Sequence, residues 1–237
     1  MKTKLHLVPV GLFVAVAVGV GTIAPAADAE PAPKIPPTIK PAEPQPAPPP
    51  DKDGVRLDGD VHWTAASGDT AEAPKILGHS NDFQAFYGLE WWEDGDDPCK
   101  FAASTRHLNQ QDNAKVDTAD FCSGSAGNKK TILRRAPNEY VSSIQVCTTD
   151  KKDSARDKIK GVRLWGRTVD TKSGALGPEN GPEEVRHTNC KTWKAKVSCP
   201  AGTVASKIKV YAEHWSGTSG AGYGRGIALG CRRVLPK

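Results

Sequence analysis

The chain has no CxxC pair, few helical periodicities and only one long apolar run, and each shortage excludes a class of protein. After residue 30 no stretch is apolar and long enough to cross a membrane. Few windows place apolar residues at i, i+3, i+4 and i+7, which argues against a helical domain. Without a CxxC pair the chain lacks the usual ligand spacing of a structural zinc site.

Phosphate-binding glycine motifs are also missing, although glycine is abundant near the end of the chain. The segment 214–231, HWSGTSGAGYGRGIALGC, carries six glycines. The segment does not match a Walker loop, because Tyr223 stands where that motif needs lysine. It does not match a dinucleotide-binding fingerprint either, because Arg225 replaces the third glycine of that motif. A GxSxG nucleophile turn fails because Ala221 replaces its last glycine. These substitutions exclude a nucleotide enzyme and an α/β-hydrolase.

The first 29 residues have the organisation of a secretory signal peptide. Lys2 and Lys4 precede an apolar stretch at 5–23, and the small-x-small triplet ADA at 27–29 offers a cleavage site. The mature chain is therefore expected to begin at Glu30 and to be secreted, with the bacterial cell envelope as one destination. The alternative is a transmembrane anchor, because the apolar stretch is close to the minimum length that spans a bilayer.

Residues 30–50 form a proline-rich linker in which ten of twenty-one residues are proline. Proline fixes φ and removes a hydrogen-bond donor, so an extended polyproline II spacer is predicted. Its simplest role is a tether, and recognition of its PxxP segments by a partner is the alternative. The remaining residues, 51–237, are long enough for one domain with one sizeable core.

Short alternating runs bounded by Gly, Pro, Asn and Ser predict an all-β domain, either β-prism-like or a β-sandwich. The polar segment 109–130 is expected to be a long loop. The predicted strands are residues 55–57, 61–64, 85–91, 141–148, 159–168, 192–197, 204–214 and 226–234.

All six cysteines lie in this domain, and an even number in an exported chain predicts up to three disulfides. Cysteine spacing leaves the pairing open, although Cys99 and Cys122 are placed to hold the 109–130 loop. Zinc ligation by His187, Cys190 and Cys199 is the alternative, and we expect no metal there. The six disulfide candidates are Cys99, Cys122, Cys147, Cys190, Cys199 and Cys231.

The domain resembles itself at an offset of 64 to 65 residues, which predicts an internal repeat at about 135–170 and 199–235. Each copy has the form strand, variable loop, strand, and such units must stack around a shared core. A fainter third copy is suggested by GLEWW (88–92), aligned with GVRLW (161–165). The two clear matches are VSSIQV (141–146) with ASKIKV (205–210), and GVRL (161–164) with GIAL (226–229).

The second copy carries a family resemblance. CPAGTV (199–204), IKV (208–210) and GIALGC (226–231) are similar to secreted bacterial modules with a Cys-Pro-x-Gly turn, and resemble the vitelline membrane outer-layer and jacalin-like β-prism proteins. The resemblance implies a β-prism and a tendency to bind carbohydrate. It transfers no sugar site, because Arg225 and Arg232 occupy the region where jacalin-like lectins carry an acidic motif.

Charge is divided unequally along the domain. Residues 51–120 contain six Lys/Arg and fifteen Asp/Glu, whereas residues 121–237 contain twenty-two and nine. The two halves are expected to neutralise each other within the fold. The alternative is a basic face for an anionic partner.

An acidic loop at 90–97 is the place where chemistry would be sought, and we assign no catalytic residue there. A solvated turn is expected, with a calcium site or a glycosidase carboxylate pair as alternatives. No cofactor is expected otherwise. Its acidic side chains are Glu90, Glu93, Asp94, Asp96 and Asp97.

Tryptophan is the residue type that most directly suggests a ligand. Three or four of the six tryptophans are expected in the core, whereas Trp215 borders the glycine-rich loop. We predict a binding rim of Trp215, Tyr223, Arg225 and Tyr211, with the first three exposed together. The predicted function is a secreted, non-enzymatic module for carbohydrate or anionic surface polymer such as cell-wall polymer. The alternatives are a hydrolase or toxin and a structural or protein-binding envelope component; neither nucleotide nor nucleic acid is an expected partner.

Overall fold

The computed structural model describes residues 54–70, 73–122, 130–149, 157–213 and 222–237. The chain divides into a unit that ends at Pro48 and a unit from Pro49 to Lys237, and the described residues belong to the second. The predicted signal peptide and proline-rich linker lie outside them. Within the described ranges all regular structure is β-strand, and there is no helix that could cross a membrane.

Fourteen strands of the described ranges make up three antiparallel sheets. Sheet I has the order β1-β14-β13-β3 with β2 also on β14, sheet II has β10-β9-β8-β11 with β12 also on β8, and sheet III has β6-β5-β4-β7. The strands are β1 (Val55–Leu57), β2 (His62–Gly68), β3 (Lys75–Leu77), β4 (Gln84–Asp94), β5 (Asp97–His107), β6 (Ala114–Asp120), β7 (Lys130–Arg134), β8 (Glu139–Thr148), β9 (Ile159–Val169), β10 (Leu176–Arg186), β11 (Thr192–Trp193), β12 (Val197–Ser198), β13 (Thr203–Ala212) and β14 (Gly224–Pro236).

The three sheets share one plan. Each is built on a central hairpin, namely β4–β5, β8–β9 or β13–β14. In sheets III and II the strand that follows the hairpin pairs with its second strand, as β6 does with β5 and β10 with β9. The strands after that pair with the first strand of the hairpin, as β7 does with β4 and β11 and β12 with β8. In sheet I those additional strands come from the beginning of the domain, because β1 and β2 pair with β14 and β3 pairs with β13. Three such sheets around a common core form a β-prism, which decides between the two predicted architectures.

The core lies where the inner faces of the three sheets meet. Strand residues alternate between faces, so every second side chain of each hairpin points inward. Burying each large apolar side chain contributes roughly 1.5–3 kcal/mol. Fully buried contributors include Phe86, Leu89, Trp91 and Phe101 from sheet III, Ile144, Val146, Val162 and Leu164 from sheet II, and Ile208, Val210, Ile227 and Leu229 from sheet I.

Each predicted strand overlaps an observed one, but the single strand predicted at 192–197 is two short strands, β11 and β12, with 194–196 outside them. Five observed strands were not predicted. β6 lies inside 109–130, so the expectation of one long loop there was wrong. β10 was missed because its sequence, LGPENGPEEVR, contains prolines, glycines and glutamates that disfavour strands. It forms at the edge of sheet II. Proline is tolerated in an edge strand, because the N–H that it lacks would face away from the sheet and would not take part in a ladder hydrogen bond. The other unpredicted strands are β3, β5 and β7.

The segments that match in sequence occupy equivalent places. VSSIQV lies in β8 and ASKIKV in β13, the first strands of their hairpins, while GVRL and GIAL lie in the second strands. The internal repeat as a duplication stays a prediction. The alignment of the third copy was wrong, because residues 88–92 lie in β4, the first strand of the third hairpin, rather than in a second strand.

All six cysteines are paired in three disulfides, as predicted. Cys99–Cys122 closes β5 onto the end of β6, and Cys147–Cys190 joins β8 to the segment before β11. Cys199–Cys231 connects the turn after β12 to β14 and so links sheets II and I. The closed segments follow one another along the chain without overlap, and each therefore restricts a separate part of it.

Candidate functional site

The acidic and basic halves of the domain neutralise each other through ion pairs, as the charge distribution predicted. Carboxylates from the first half pair with cations from the second half both within sheets I and III and between sheet III and β9 of sheet II. These pairs are Asp69 with Arg225, Asp82 with Arg232, Glu90 with Lys130 and Arg134, Asp96 with Lys160, and Asp97 with Lys158 and Lys160.

The tip of the acidic loop is held by two lysines at the start of β9, Lys158 just before the strand and Lys160 within it. The Lys160 ammonium, whose side chain is 2% exposed, binds both Asp96 and Asp97, and Lys158 lies 2.5 Å from Asp97. The hydrogen bond from Lys160 is the largest cause that lowers the pKa of Asp96 below its usual value. These carboxylates already have cationic partners, which fits the expected turn.

The carboxylate of Glu93 is buried beneath this loop and orients a histidine. Its Oε1 accepts a hydrogen bond from Trp91 Nε1 at 2.8 Å and lies 2.7 Å from His187 Nε2. His187 lines a cavity of about 370 Å³ with Arg186, Thr188 and Cys190. None of these lining residues carries a carboxyl group, so the cavity lacks the two acids that glycoside cleavage uses.

The four predicted rim residues do not form one exposed surface. Trp215 lies outside the described residues, while Tyr223 is half-buried with Lys158 3.8 Å from its ring centroid. Burial is the largest cause that raises the pKa of the Tyr223 phenol. Tyr211 is half-buried on β13, opposite Gly226 of β14.

The predicted exposure of Arg225 was wrong. Arg225 is 3% exposed, because the end of β2 folds over it and supplies an acidic partner. Its guanidinium pairs with the Asp69 carboxylate, and its carbonyl accepts a hydrogen bond from the Asp69 amide at 3.1 Å. A bulge in β14 opposite Tyr211 and Ala212 separates this arginine from the regular alternation of the strand.

The tryptophans are placed differently from the prediction that three or four of the six would be in the core. Of the five that the structure describes, only Trp91 is fully buried. The other four are half-buried on the outer faces of the sheets, and each ring has a cation above it. The pairs are Trp63 with Lys209, Trp92 with Lys100 and Lys130, Trp165 with Lys196, and Trp193 with Arg163.

One of these rings forms the wall of a groove of about 300 Å³ between sheets I and II. Trp63 is in β2, and its partner across the ladder is Gly230 of β14. A Cβ at Gly230 would lie 2.9 Å from the Trp63 ring, so the glycine allows the indole to lie directly on β14. The groove is lined by His62, Trp63, Thr64, Ala65, Val197, Ser198 and Pro200.

The polar groups around this groove are fixed by hydrogen bonds. Ser198 is hydrogen-bonded to Ser143 at 2.9 Å, and Ser143 also bonds to the carboxylate of Glu179. Burial would raise the pKa of Glu179, but hydrogen bonds from Lys196, Ser143 and neighbouring Ser142 outweigh it and lower that pKa. Since Ser198 is exposed at the groove, it presents a positioned hydroxyl beside the Trp63 ring.

No family model matches the chain, and no curated protein matches it. Among solved structures, the agglutinin of Calystegia sepium is 12% identical and aligns over 73% of this chain and 97% of its own, with a TM-score of 0.44. Frutapin, a lectin from Artocarpus incisa, is 11% identical over 74% and 99% with a TM-score of 0.44. The V. cholerae biofilm matrix protein Bap1 is 12% identical over 77% of this chain and 27% of its own, with a TM-score of 0.43.

Sequence reasoning missed the groove because its two walls are distant along the chain. It treated Trp63 as one of six tryptophans and gave Ser198 no role. The pairing of β2 with β14 and of β12 with β8 brings them together. The adjacent His62-Trp63 dipeptide was the available signal, since it places an aromatic ring beside an exposed polar group.

Proposed function

We propose that this protein is a secreted, non-enzymatic carbohydrate-binding module and that the Trp63 groove is its binding site. The observation that carries the proposal is the combination of a half-buried indole with an exposed, hydrogen-bonded serine in a groove of about 300 Å³. This volume is at the lower end of small-ligand pockets, about 300–1,000 Å³, and suits a short stretch of sugar.

The chemistry of the lining fits a sugar ring better than a purely apolar ligand. A pyranose has an apolar face of C–H groups, which can pack on an aromatic ring, and hydroxyls at its rim that need hydrogen-bond partners. The Trp63 indole supplies the first surface. The Ser198 hydroxyl and the exposed His62 imidazole supply groups for the second.

The ion pairs favour binding over hydrolysis. A glycosidase needs two carboxyl groups on opposite sides of the scissile bond. Glu90, Asp96 and Asp97 are each engaged by lysine or arginine, and Glu93 is buried against Trp91 and His187. Three disulfides are consistent with folding in an oxidising compartment, as expected of a secreted protein.

The proposal is tested by glycan-array screening of the mature protein, followed by calorimetric titration of the best ligand. Trp63→Ala is expected to weaken binding at least about tenfold, since it removes the one aromatic ring among the described residues that line the groove. Trp193→Ala is the matched control, because Trp193 is also half-buried but lies outside the groove lining. Ala65→Trp is a second test, because it adds volume at an exposed lining position without removing a contact.

Three results would contradict the proposal. The first is a folded wild-type protein that retains neither arrayed glycans nor isolated cell walls. The second is release of shortened sugars during prolonged incubation, which would indicate a hydrolase. The third is binding that survives Trp63→Ala and Ala65→Trp but is lost in Trp215→Ala, which would place the site at the glycine-rich loop instead.

A further inference from the structure

The cations that cover the surface tryptophans differ in one respect. Most of them are neutralised by a carboxylate. The neutralised ones are Lys100 with Asp120, Lys130 with Glu90, Lys196 with Glu179 and Arg163 with Glu184. Lys209, which covers Trp63, has no carboxylate partner within the part of the chain that the structure describes.

Lys209 is not itself a lining residue of the groove, but it contacts the aromatic ring that forms the groove wall. Its ammonium lies 4.1 Å from the centroid of the Trp63 ring, the ring that forms the groove wall. Its neighbours across the ladders are Ile76 of β3 and Ala228 of β14, neither of which carries charge. The positive charge at the aromatic wall is therefore not cancelled by adjacent residues.

A second lysine extends this positive charge along sheet I. Lys207 is two residues from Lys209 on the same face of β13, and its ammonium bonds only to the Ser80 hydroxyl among the described residues. Lys207 and Lys209 together give this outer face of sheet I positive charge that is available to a ligand.

We propose that the groove takes an acidic glycan, a polysaccharide that carries carboxylate or sulfate groups, and that Lys209 selects it. This inference rests on the proposed carbohydrate-binding function. The sugar ring packs on Trp63, and its anionic substituent meets the Lys209 ammonium. A half-buried cation gains more from such a partner than one in bulk water, because the electrostatic interaction is screened less there.

The experiment compares two ligands that differ only in charge. A galacturonate hexamer and its methyl ester are titrated against the mature protein, and a heparin hexasaccharide separates sulfate from carboxylate recognition. The wild type is expected to bind the acid at least about tenfold more tightly than the ester, as a charge-assisted hydrogen bond of ~1.5–3 kcal/mol implies. Affinity for the acid should fall as salt is raised.

Lys209→Met keeps an unbranched stem over Trp63 but removes the charge. It is expected to lower affinity for the acid about tenfold and to leave affinity for the ester nearly unchanged. Lys100→Met is the matched control, because Lys100 covers Trp92 on sheet III and already pairs with Asp120. This variant should bind both ligands like the wild type.

The outcomes separate this inference from the function on which it rests. Equal wild-type affinity for acid and ester, lost in Trp63→Ala, would keep the carbohydrate site and overturn the acidic specificity. Equal losses in Lys209→Met and Lys100→Met would also overturn it, since they indicate a general attraction between charges. Binding of neither hexamer nor heparin, together with an empty glycan array, would overturn both proposals.

Discussion

Removal of the Cys199–Cys231 disulfide tests how far cross-links, as opposed to core packing, stabilise this β-prism. The bond closes a segment with a sequence separation of 32 and joins sheet II to sheet I. Restriction of the unfolded chain by a loop of this size contributes about 3.7 kcal/mol at 25 °C. For a domain of this length, that loss lowers Tm by roughly 7 to 15 °C.

The measurement is urea unfolding of Cys199→Ala/Cys231→Ala, with tryptophan fluorescence and far-ultraviolet circular dichroism as the two probes of the transition. Cys99→Ala/Cys122→Ala is the comparison, with a separation of 23 and an expected loss of about 3.4 kcal/mol. Because the closed segments do not overlap, the two losses should add in the quadruple variant. A loss below about 1 kcal/mol in the first variant, with an unchanged m-value, would refute the unfolded-chain argument.

Two further predictions concern packing and pH. Gly224→Ala places a Cβ 2.2 Å from the buried Phe101 ring and should cost about 1–3 kcal/mol in urea unfolding, whereas Gly59→Ala, with no atom within 4 Å, should be nearly neutral. Burial would raise the pKa of Glu90, but its two cations outweigh burial and lower it below the ordinary 4.5. The ionised Glu90 carboxylate therefore stabilises the folded state fully above pH 4.5, and this contribution is lost as the pH falls through the lowered pKa. Glu90→Gln should lower the free energy of unfolding at pH 7 and differ less from the wild type in acid, which urea unfolding at a series of pH values would measure.

Five of the six strands in the central hairpins could be predicted from the sequence, because they are bounded by turn residues and alternate cleanly, whereas β5 was missed. β8 and β9 were predicted to within one or two residues at each end. Of the strands that flank the hairpins, β1 and β2 were predicted, but β3, β6, β7 and β10 were not. β10 has no apolar alternation of its own and becomes a strand only because β9 offers it a ladder to pair with.

The predicted exposure of Arg225 was wrong for a related reason. Arg225 and Tyr223 are two residues apart and next to a glycine-rich loop, which in sequence suggests common exposure. The bulge in β14 and the end of β2 separate them, so one is buried against Asp69 and the other stays near the surface. A bulge and a partner 156 residues away leave no local trace in the sequence.

The uneven charge of the chain connects its fold to the proposed specificity. Two buried arginines of β14, Arg225 and Arg232, pair with carboxylates from the start of the domain. Asp69 follows β2 and Asp82 follows β3, and these are the strands by which the start of the domain joins sheet I. Leaving either arginine without its carboxylate would be costly, and this favours the pairing of the acidic segment with the last hairpin. Lys209 belongs to the same basic half but faces outward, and no carboxylate of the described residues pairs with it. Because its charge is not neutralised by those ion pairs, Lys209 can interact with an anionic ligand at Trp63.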